Sequence, residues 1–225
     1  MQQLIKSLPK DEVLRYLGYR GTELPQQLNK LIDECIETTL STITPRYLYR
    51  KFPLKKTDSG IQLGDASLIL PGKEIQDHLY SCESAYLLCV TLGLSIDKLI
   101  RLKMISAPDE GVIYDSCAST AVEALADFVQ REIEAEISPS GKNLTWRFSP
   151  GYGDLPLSVQ RELLQVMDCS RKIGLSLNES LLLAPTKSVT AILGVSDTKA
   201  DPRKNKCDYC NNRANCAFRK RGTQC

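Results

Sequence analysis

A long amphipathic helix constrains the fold of this chain more than any other feature of the sequence. Between about residues 109 and 137, apolar side chains recur at the spacing of one helical face. The polar run SPSGKN follows and is expected to end the helix. The predicted buried face consists of Ala121, Val122, Leu125, Ala126, Val129 and Ile133.

Shorter patterns on both sides of this helix alternate between helical and extended periodicity. We expect helices at residues 10–21, 24–43, 73–82, 95–106 (with Ser95 as the N-cap) and 158–174. We expect strands at residues 46–55, 85–93, 144–148, 180–185 and 188–196, and a hairpin within residues 60–72. The last two strands are candidates for a pair. The sequence therefore predicts an α+β domain whose mostly antiparallel sheet is packed with helices.

The charge balance restricts the class of partner. The chain of 225 residues has 29 basic and 27 acidic side chains, whereas a broad nucleic-acid surface needs a strong basic excess. No run is long and apolar enough for a membrane span, and the start MQQLIKSLPKDEV does not have the pattern of a signal peptide. We expect a cytoplasmic protein that binds neither nucleic acid nor membrane.

The nine cysteines fall into two groups. Five are scattered through apolar or helical contexts and are predicted to be buried as small apolar residues: Cys35, Cys82, Cys89, Cys117 and Cys169. The other four form a Cys-x2-Cys-x5-Cys-x8-Cys pattern at the end of the chain: Cys207, Cys210, Cys216 and Cys225. Without a secretory signal, a metal site is a better interpretation of this tail than a disulfide framework.

The four tail thiolates suit either tetrahedral zinc or an iron–sulfur cluster, and their spacing does not choose between the two. The polar run SDTKADPRKNK precedes the tail and is expected to be a linker. The predicted organisation is a domain at residues 1–199 followed by a linker and metal-binding tail at residues 200–225.

The stretch WRFSPGYGDLP, residues 146–156, is the candidate binding site of the domain. Arg147 carries a planar, permanently charged fork that suits a carboxylate. Pro150 and Gly151 predict a turn that exposes backbone groups, and Tyr152 adds an aromatic face and a hydroxyl. These features describe a cradle for a small molecule, although a tight strand-to-helix connection with a surface arginine explains the same residues.

The run RFSPGY at residues 147–152 resembles the Arg-x-x-Pro-Gly-Tyr signature of the activation domain of cobalamin-dependent methionine synthase. STAVEALADFVQREI is similar to the long helix that precedes this signature in the family, and LSLNESLLLAPTKSVTAILG is similar to the segment that follows it. EVLRYLGYRG further resembles the start of short, free-standing members. The resemblance covers about residues 10–197, with the motifs in the family's order.

This resemblance implies that the domain binds S-adenosylmethionine and presents its sulfonium methyl to cob(II)alamin on another domain or chain. Arg147 would clamp the carboxylate of the cofactor, and Ser149, Gly151 and Tyr152 would line the pocket. Glu123 falls where the family has an acidic ligand, which accepts hydrogen bonds from the ammonium or ribose hydroxyls. Gly141 stands where full-length enzymes of the family can have a second acidic contact.

Cobalamin itself is expected on a partner. The chain has one histidine, His78, and QDHLYSC does not match the Asp-x-His-x-x-Gly motif that supplies the lower cobalt ligand in cobalamin modules. We therefore interpret His78 as a helix residue. The chain is expected to be a reactivation subunit that docks onto a cobalamin-loaded methionine synthase or corrinoid protein and relies on a separate reductase or other electron donor.

The alternative is a non-catalytic docking or scaffold subunit of a corrinoid methyltransferase system, with a zinc-binding tail. Reductive methylation consumes an electron, and a cluster beside the site could relay it. That functional reason favours an iron–sulfur cluster in the tail over zinc.

The tail is predicted to bind metal only with all four thiolates, because three leave an open coordination position. Protein purified without oxygen is expected to be brown and to bleach on reduction, and Cys210→Ser is expected to lose the metal. Metal analysis and visible absorbance check this, with Cys82→Ala as the control that keeps the metal. Colourless protein with one tightly bound zinc would contradict the cluster and support docking.

Overall fold

The computed structural model of the chain describes residues 4–19, 23–64, 66 and 68–197. The four cysteines of the predicted metal site lie outside the described residues, as does the boundary at residues 199 and 200. Both therefore stay predictions.

Helices form close to where the sequence predicts them. Gly18 and Gly174, each with positive φ, follow α1 and α7, at positions where glycine favours the end of a helix. The α-helices of the described residues are α1 (Lys10–Tyr16), α2 (Gln26–Thr42), α3 (Lys73–His78), α4 (Leu94–Ser106), α5 (Pro108–Ile137), α6 (Val159–Met167) and α7 (Cys169–Ile173), and a 3-10 turn (Ser138–Ser140) follows α5.

Two helix predictions need correction. Ser95 is not the N-cap of α4, because Gly93 occupies that position with φ of 83° and Ser95 lies inside the helix. The helix predicted at residues 158–174 is divided into α6 and α7, because Asp168 adopts the left-handed conformation with φ of 55°. Aspartate is one of the few non-glycine residues that adopt this conformation readily.

The strands form one six-stranded sheet in the order β3-β2-β1-β4-β8-β5 and a separate β6-β7 pair. Antiparallel pairing joins β1 to β2, β2 to β3 and β5 to β8. The strands are β1 (Arg46–Thr57), β2 (Gly60–Leu63), β3 (Ile69–Leu70), β4 (Cys82–Thr91), β5 (Asn143–Leu144), β6 (Ser176–Leu177), β7 (Leu183–Ala184) and β8 (Ser188–Ser196). The predicted hairpin at residues 60–72 is confirmed as β2 and β3.

Two strand predictions were wrong in detail. The predicted strand 144–148 pairs regularly only as far as Leu144, and pairing resumes in a single bridge between Phe148 and Ile192. The expected pair of residues 180–185 and 188–196 does not form, because β7 pairs with β6 instead.

The chain divides into two compact units. The first comprises the described residues up to Leu48, together with Cys89–Arg131 and Cys169–Val189, and its core includes Ile32 of α2 and Leu125 of α5. The second comprises Tyr49–Leu88, Glu132–Asp168 and the described residues from Thr190 onward.

The core of the second unit includes Leu63, Tyr86 and Phe148, each at most 1% exposed. Four of the five unit boundaries fall within β1, β4, α5 and β8, so each of these elements contributes residues to both units. The fifth boundary separates α6 from α7.

Burial follows the predicted pattern. The six residues assigned to the buried face of the long helix are all buried, and the five scattered cysteines are buried free thiols. Within the described part of the chain, no helix is long and apolar enough to cross a membrane. The structure confirms an α+β fold with a mostly antiparallel sheet packed with helices.

Candidate functional site

The segment that delivers Arg147 runs along the outer side of β8. Leu144 pairs with Val195, the Thr145 amide donates to the Gly194 carbonyl at 2.9 Å, and Phe148 exchanges backbone hydrogen bonds with Ile192 at 2.8 and 3.0 Å. Phe148 is fully buried. The sheet therefore fixes the chain immediately before the RFSPGY turn.

The turn itself is built by proline and glycine, as the sequence predicts. The Tyr152 amide donates to the Ser149 carbonyl at 3.0 Å, with Pro150 second in the turn and Gly151 third at φ of 86°. This is the arrangement of a type II β-turn, which requires a positive φ at its third residue. The backbone of Gly151 is exposed. A bound molecule can therefore approach this backbone closely, because Gly151 has no side chain of its own.

A second connection fixes the far end of the turn. The Asp154 carboxylate accepts hydrogen bonds from the backbone amides of Lys73 at 2.6 Å and of Glu74 at 3.1 Å. These amides belong to the first turn of α3, whose N-cap, Gly72, has no side chain of its own. A Cβ atom at Gly72 would lie 2.5 Å from Asp154 Oδ1, so glycine leaves the space that the carboxylate needs.

Glu74, in the first turn of α3, also packs against the RFSPGY segment near Gly153. Glu74 Oε2 is buried and has no hydrogen-bond partner among the described residues. It would lie 2.2 Å from a Cβ atom at Gly153, whose φ is 54°. The positive φ favours glycine at position 153, and any larger residue would also displace the Glu74 carboxylate.

Four aromatic rings form the base of the site. His78, the last residue of α3, lies 4.4 Å from Trp146 and 5.2 Å from Phe148 between ring centroids. Trp146 stacks on Phe148 at 5.2 Å, and Tyr152 meets the edges of both rings at 5.8 and 5.5 Å. Tyr152 is only partly buried. Its ring therefore has a well-packed support and an accessible side.

Burial lowers the pKa of His78 to about 4, and a hydrogen bond to the backbone of Trp146 opposes this shift only partly. The ring is therefore neutral at pH 7. Its Nε2 atom lies 2.8 Å from Thr145 Oγ1. The prediction that His78 is a helix residue is confirmed.

The predicted ligand residues are distributed over both units. Arg147, Ser149, Gly151 and Tyr152 belong to one short segment of the second unit, where Arg147, Ser149 and Tyr152 are partly buried. Glu123 lies on α5 in the first unit and is also partly buried.

The neighbours of Glu123 at positions 122 and 126 are buried, as the sequence predicts. The pKa of Tyr16 is raised mainly by burial and, to a smaller extent, by the negative charge of Glu123. Within the described residues, no group of three or more histidine, cysteine or acidic side chains is arranged to hold a metal ion.

The chain matches no protein-family model and no curated protein sequence. Among solved structures, the crystal structure of the MetH reactivation domain bound to AdoHcy shares its fold with a TM-score of 0.61. The identity is 14%, and the match covers 94% of this chain and 80% of that chain. The α+β architecture is thus that of the MetH reactivation domain.

Sequence reasoning missed the residues that support the turn from α3. Asp154 and Lys73 are 81 positions apart, so no local pattern connects them. The glycines at positions 72, 153 and 194 were the available signals, because each stands where a side chain would clash with a neighbour.

Asp154→Ala is expected to lower the free energy of unfolding by about 1 kcal/mol, because α3 loses its only carboxylate cap at two backbone amides. Urea unfolding measures this. Asp77→Ala is the matched control: it removes an exposed carboxylate from the other end of the same helix and should leave stability unchanged or slightly higher. Equal losses in the two variants would contradict the capping role.

Proposed function

We propose that this protein binds S-adenosylmethionine and supports the reductive methylation of cob(II)alamin held by a separate cobalamin-dependent methionine synthase or corrinoid protein. The observation that carries the proposal is the RFSPGY turn, which occurs within a fold shared with a domain whose structure contains AdoHcy. AdoHcy is what remains of S-adenosylmethionine after its sulfonium methyl group has been transferred.

The residues of the turn fit the chemistry of this cofactor. The guanidinium of Arg147 can donate two parallel hydrogen bonds to the carboxylate of the methionyl group. The exposed backbone of Gly151 allows close approach, and the supported ring of Tyr152 can act as a wall of the pocket. Ser149 can add a hydroxyl.

The proposed reaction balances with one added electron. The methyl group leaves the sulfonium sulfur as a formal cation and forms a bond to cobalt, while the electron pair of the broken bond stays on sulfur. Cob(II)alamin supplies one electron of the new cobalt–carbon bond, and a one-electron reductant supplies the other. The products are methylcobalamin and neutral AdoHcy.

In this proposal the role of the chain is to bind and orient the methyl donor. The electron comes from a reductase or another donor, and a cluster held by Cys207, Cys210, Cys216 and Cys225 would supply a one-electron relay. Cobalamin comes from the partner. The only histidine of the chain is partly buried at the end of α3 and lies beside Thr145, which supports a cobalt ligand located elsewhere.

Arg147→Ala is expected to weaken S-adenosylmethionine binding by roughly 1.5–3 kcal/mol, the value of a lost charge-assisted contact. This is a rise of about 10- to 150-fold in Kd, measured by isothermal titration. Arg147→Lys should have an intermediate effect, because lysine keeps the charge and loses the fork. Arg161→Ala removes an exposed arginine of α6 and serves as the control with parental affinity.

The titrations of the parent and of Arg147→Ala distinguish the proposed function from the scaffold alternative. Parental affinity in Arg147→Ala would remove the carboxylate clamp from the proposal. A parent protein that binds neither S-adenosylmethionine nor AdoHcy would contradict the proposed function and leave the scaffold role of the sequence-based alternative.

Glu123→Gln keeps the shape of the side chain and removes its charge. If Glu123 accepts hydrogen bonds from the ammonium or ribose of the cofactor, affinity should fall by about tenfold, since bonds to charged groups contribute about 1.5–3 kcal/mol. Titration against Glu132→Gln, an exposed glutamate of the same helix, controls for the general loss of negative charge. Equal affinities in the two variants would make Glu123 a structural residue.

A further inference from the structure

Residues 143–148, here called the site strand, run antiparallel to β8. The register between the site strand and β8 changes by one residue immediately before the turn. Asn143 pairs with Ser196 and Leu144 with Val195, and the amide of Thr145 continues this register to Gly194. Phe148, however, pairs with Ile192.

Three steps along the site strand, from residue 145 to residue 148, therefore oppose two steps along β8, from residue 194 to residue 192. This extra residue forms a β-bulge, in which Trp146 and Arg147 together oppose a single residue of β8. Bulges bend a strand and redirect its side chains, and they occur often beside functional sites.

The hydroxyl of Thr145 replaces a backbone hydrogen bond at the start of the bulge. In a regular antiparallel ladder, the two residues of each hydrogen-bonded pair exchange both amide-to-carbonyl bonds. Here the Thr145 amide donates to Gly194, but the Gly194 amide donates to Thr145 Oγ1 at 2.8 Å. The Thr145 carbonyl is thus released from the ladder at the residue where the register changes.

Close packing around Gly194 holds the donor of this bond, the Gly194 amide, in place. A Cβ atom at Gly194 would lie 2.5 Å from Cys82 Sγ, 2.7 Å from Leu79 Cδ2 and 3.2 Å from Thr145 Cγ2. The end of α3, the start of β4 and the site strand therefore all contact β8 at one glycine. A side chain at position 194 would therefore clash with these neighbours, which include Thr145, the acceptor of the hydrogen bond from the Gly194 amide.

His78 holds the same hydroxyl from the other side. Its Nε2 atom lies 2.8 Å from Thr145 Oγ1, and Oγ1 also lies 3.3 Å from the Trp146 carbonyl. The ring is packed against Trp146 and Phe148, so it cannot turn away without breaking the aromatic cluster. A hydroxyl has one proton and two lone pairs, which suffice for bonds to Gly194 and His78 together.

We propose that Thr145 and His78 are positioning residues for Arg147: the hydroxyl of Thr145, held between the Gly194 amide and His78 Nε2, fixes the bulge and so directs the guanidinium toward the ligand. The proposal rests on the proposed function, because it assigns to these two residues the orientation of the carboxylate clamp. Neither residue needs to touch the ligand.

Thr145→Val is the decisive variant, because valine has nearly the shape of threonine and no hydroxyl. It is expected to raise the Kd for S-adenosylmethionine roughly tenfold, within the range of coupling between residues that share a network. Thr145→Ser keeps the hydroxyl and should stay within about twofold of the parent. Thr190→Val is the matched control: it removes a buried threonine hydroxyl of the same unit, which donates to Gln160 at 3.0 Å, and should leave Kd unchanged.

A double-mutant cycle separates positioning from general loosening of the site. If Thr145 acts through Arg147, Thr145→Val should have little further effect when Arg147→Ala is already present. Parental affinity in Thr145→Val, or a full additional loss on the Arg147→Ala background, would overturn the proposal. Should Thr145→Val fail to fold, His78→Phe provides the same cycle, because phenylalanine keeps a ring against Trp146 and removes the nitrogen.

Two readouts without any ligand distinguish failure of this proposal from failure of the proposed function. Trp146 is the only tryptophan of the chain and lies inside the bulge, so its emission spectrum reports the bulge directly. The side-chain Nε–H NMR signal of Arg147 reports the guanidinium. Thr145→Val should shift both signals, and Thr190→Val should shift neither. If the parent does not bind S-adenosylmethionine but Thr145→Val shifts both signals, only the proposed function fails. If Thr145→Val shifts neither signal, the positioning role fails, whether or not the parent binds S-adenosylmethionine.

Discussion

The close approach of three segments to β8 at Gly194 is the constraint on which the candidate site depends. Because this residue has no side chain, Thr145 can accept a hydrogen bond from its amide, and Leu79 and Cys82 can pack directly against it. Those contacts fix α3 relative to the site strand within the second unit. The cap of α3 by Asp154 and the aromatic base formed with His78 join the same two segments.

The frame so formed holds the turn at both ends. Phe148 binds it to the sheet, and Asp154 binds it to the first turn of α3. Between these two points the backbone closes on itself through the Ser149–Tyr152 turn bond and a 2.9 Å bond from the Gly151 amide to the Leu155 carbonyl. A turn that is ordered before binding loses little conformational entropy on binding, which favours affinity for a small ligand.

The likeness to the MetH reactivation domain shows how a fold can persist at 14% identity. What the α+β architecture needs is a long helix with one buried face and a sheet whose long strands β4 and β8 are almost continuously buried, and many apolar residues satisfy those needs. A ligand site needs particular groups at particular angles. Its chemistry therefore has to be argued from Arg147, Tyr152 and the glycines of the turn, and not from the fold.

Periodicity and composition determined much of this protein without a structure. The 3.6-residue pattern predicted the buried face of α5 correctly, because burial of one helical face requires that spacing and little else. Proline and glycine predicted the turn at residues 149–152, because backbone conformation at those residues is a local property. The scattered cysteines were predicted to be buried, since their neighbours in sequence are apolar.

Only the tertiary structure decided how the turn is held. The sequence favoured a continuous strand at residues 144–148, whereas the register change there depends on a hydroxyl, a glycine amide and a histidine from three separate segments. The pairing of β7 with β6 and the cap of α3 by Asp154 are likewise contacts between residues far apart in the chain. Local sequence determines which conformations a segment prefers, but the partner of each hydrogen bond is chosen when distant segments compete for the same surface.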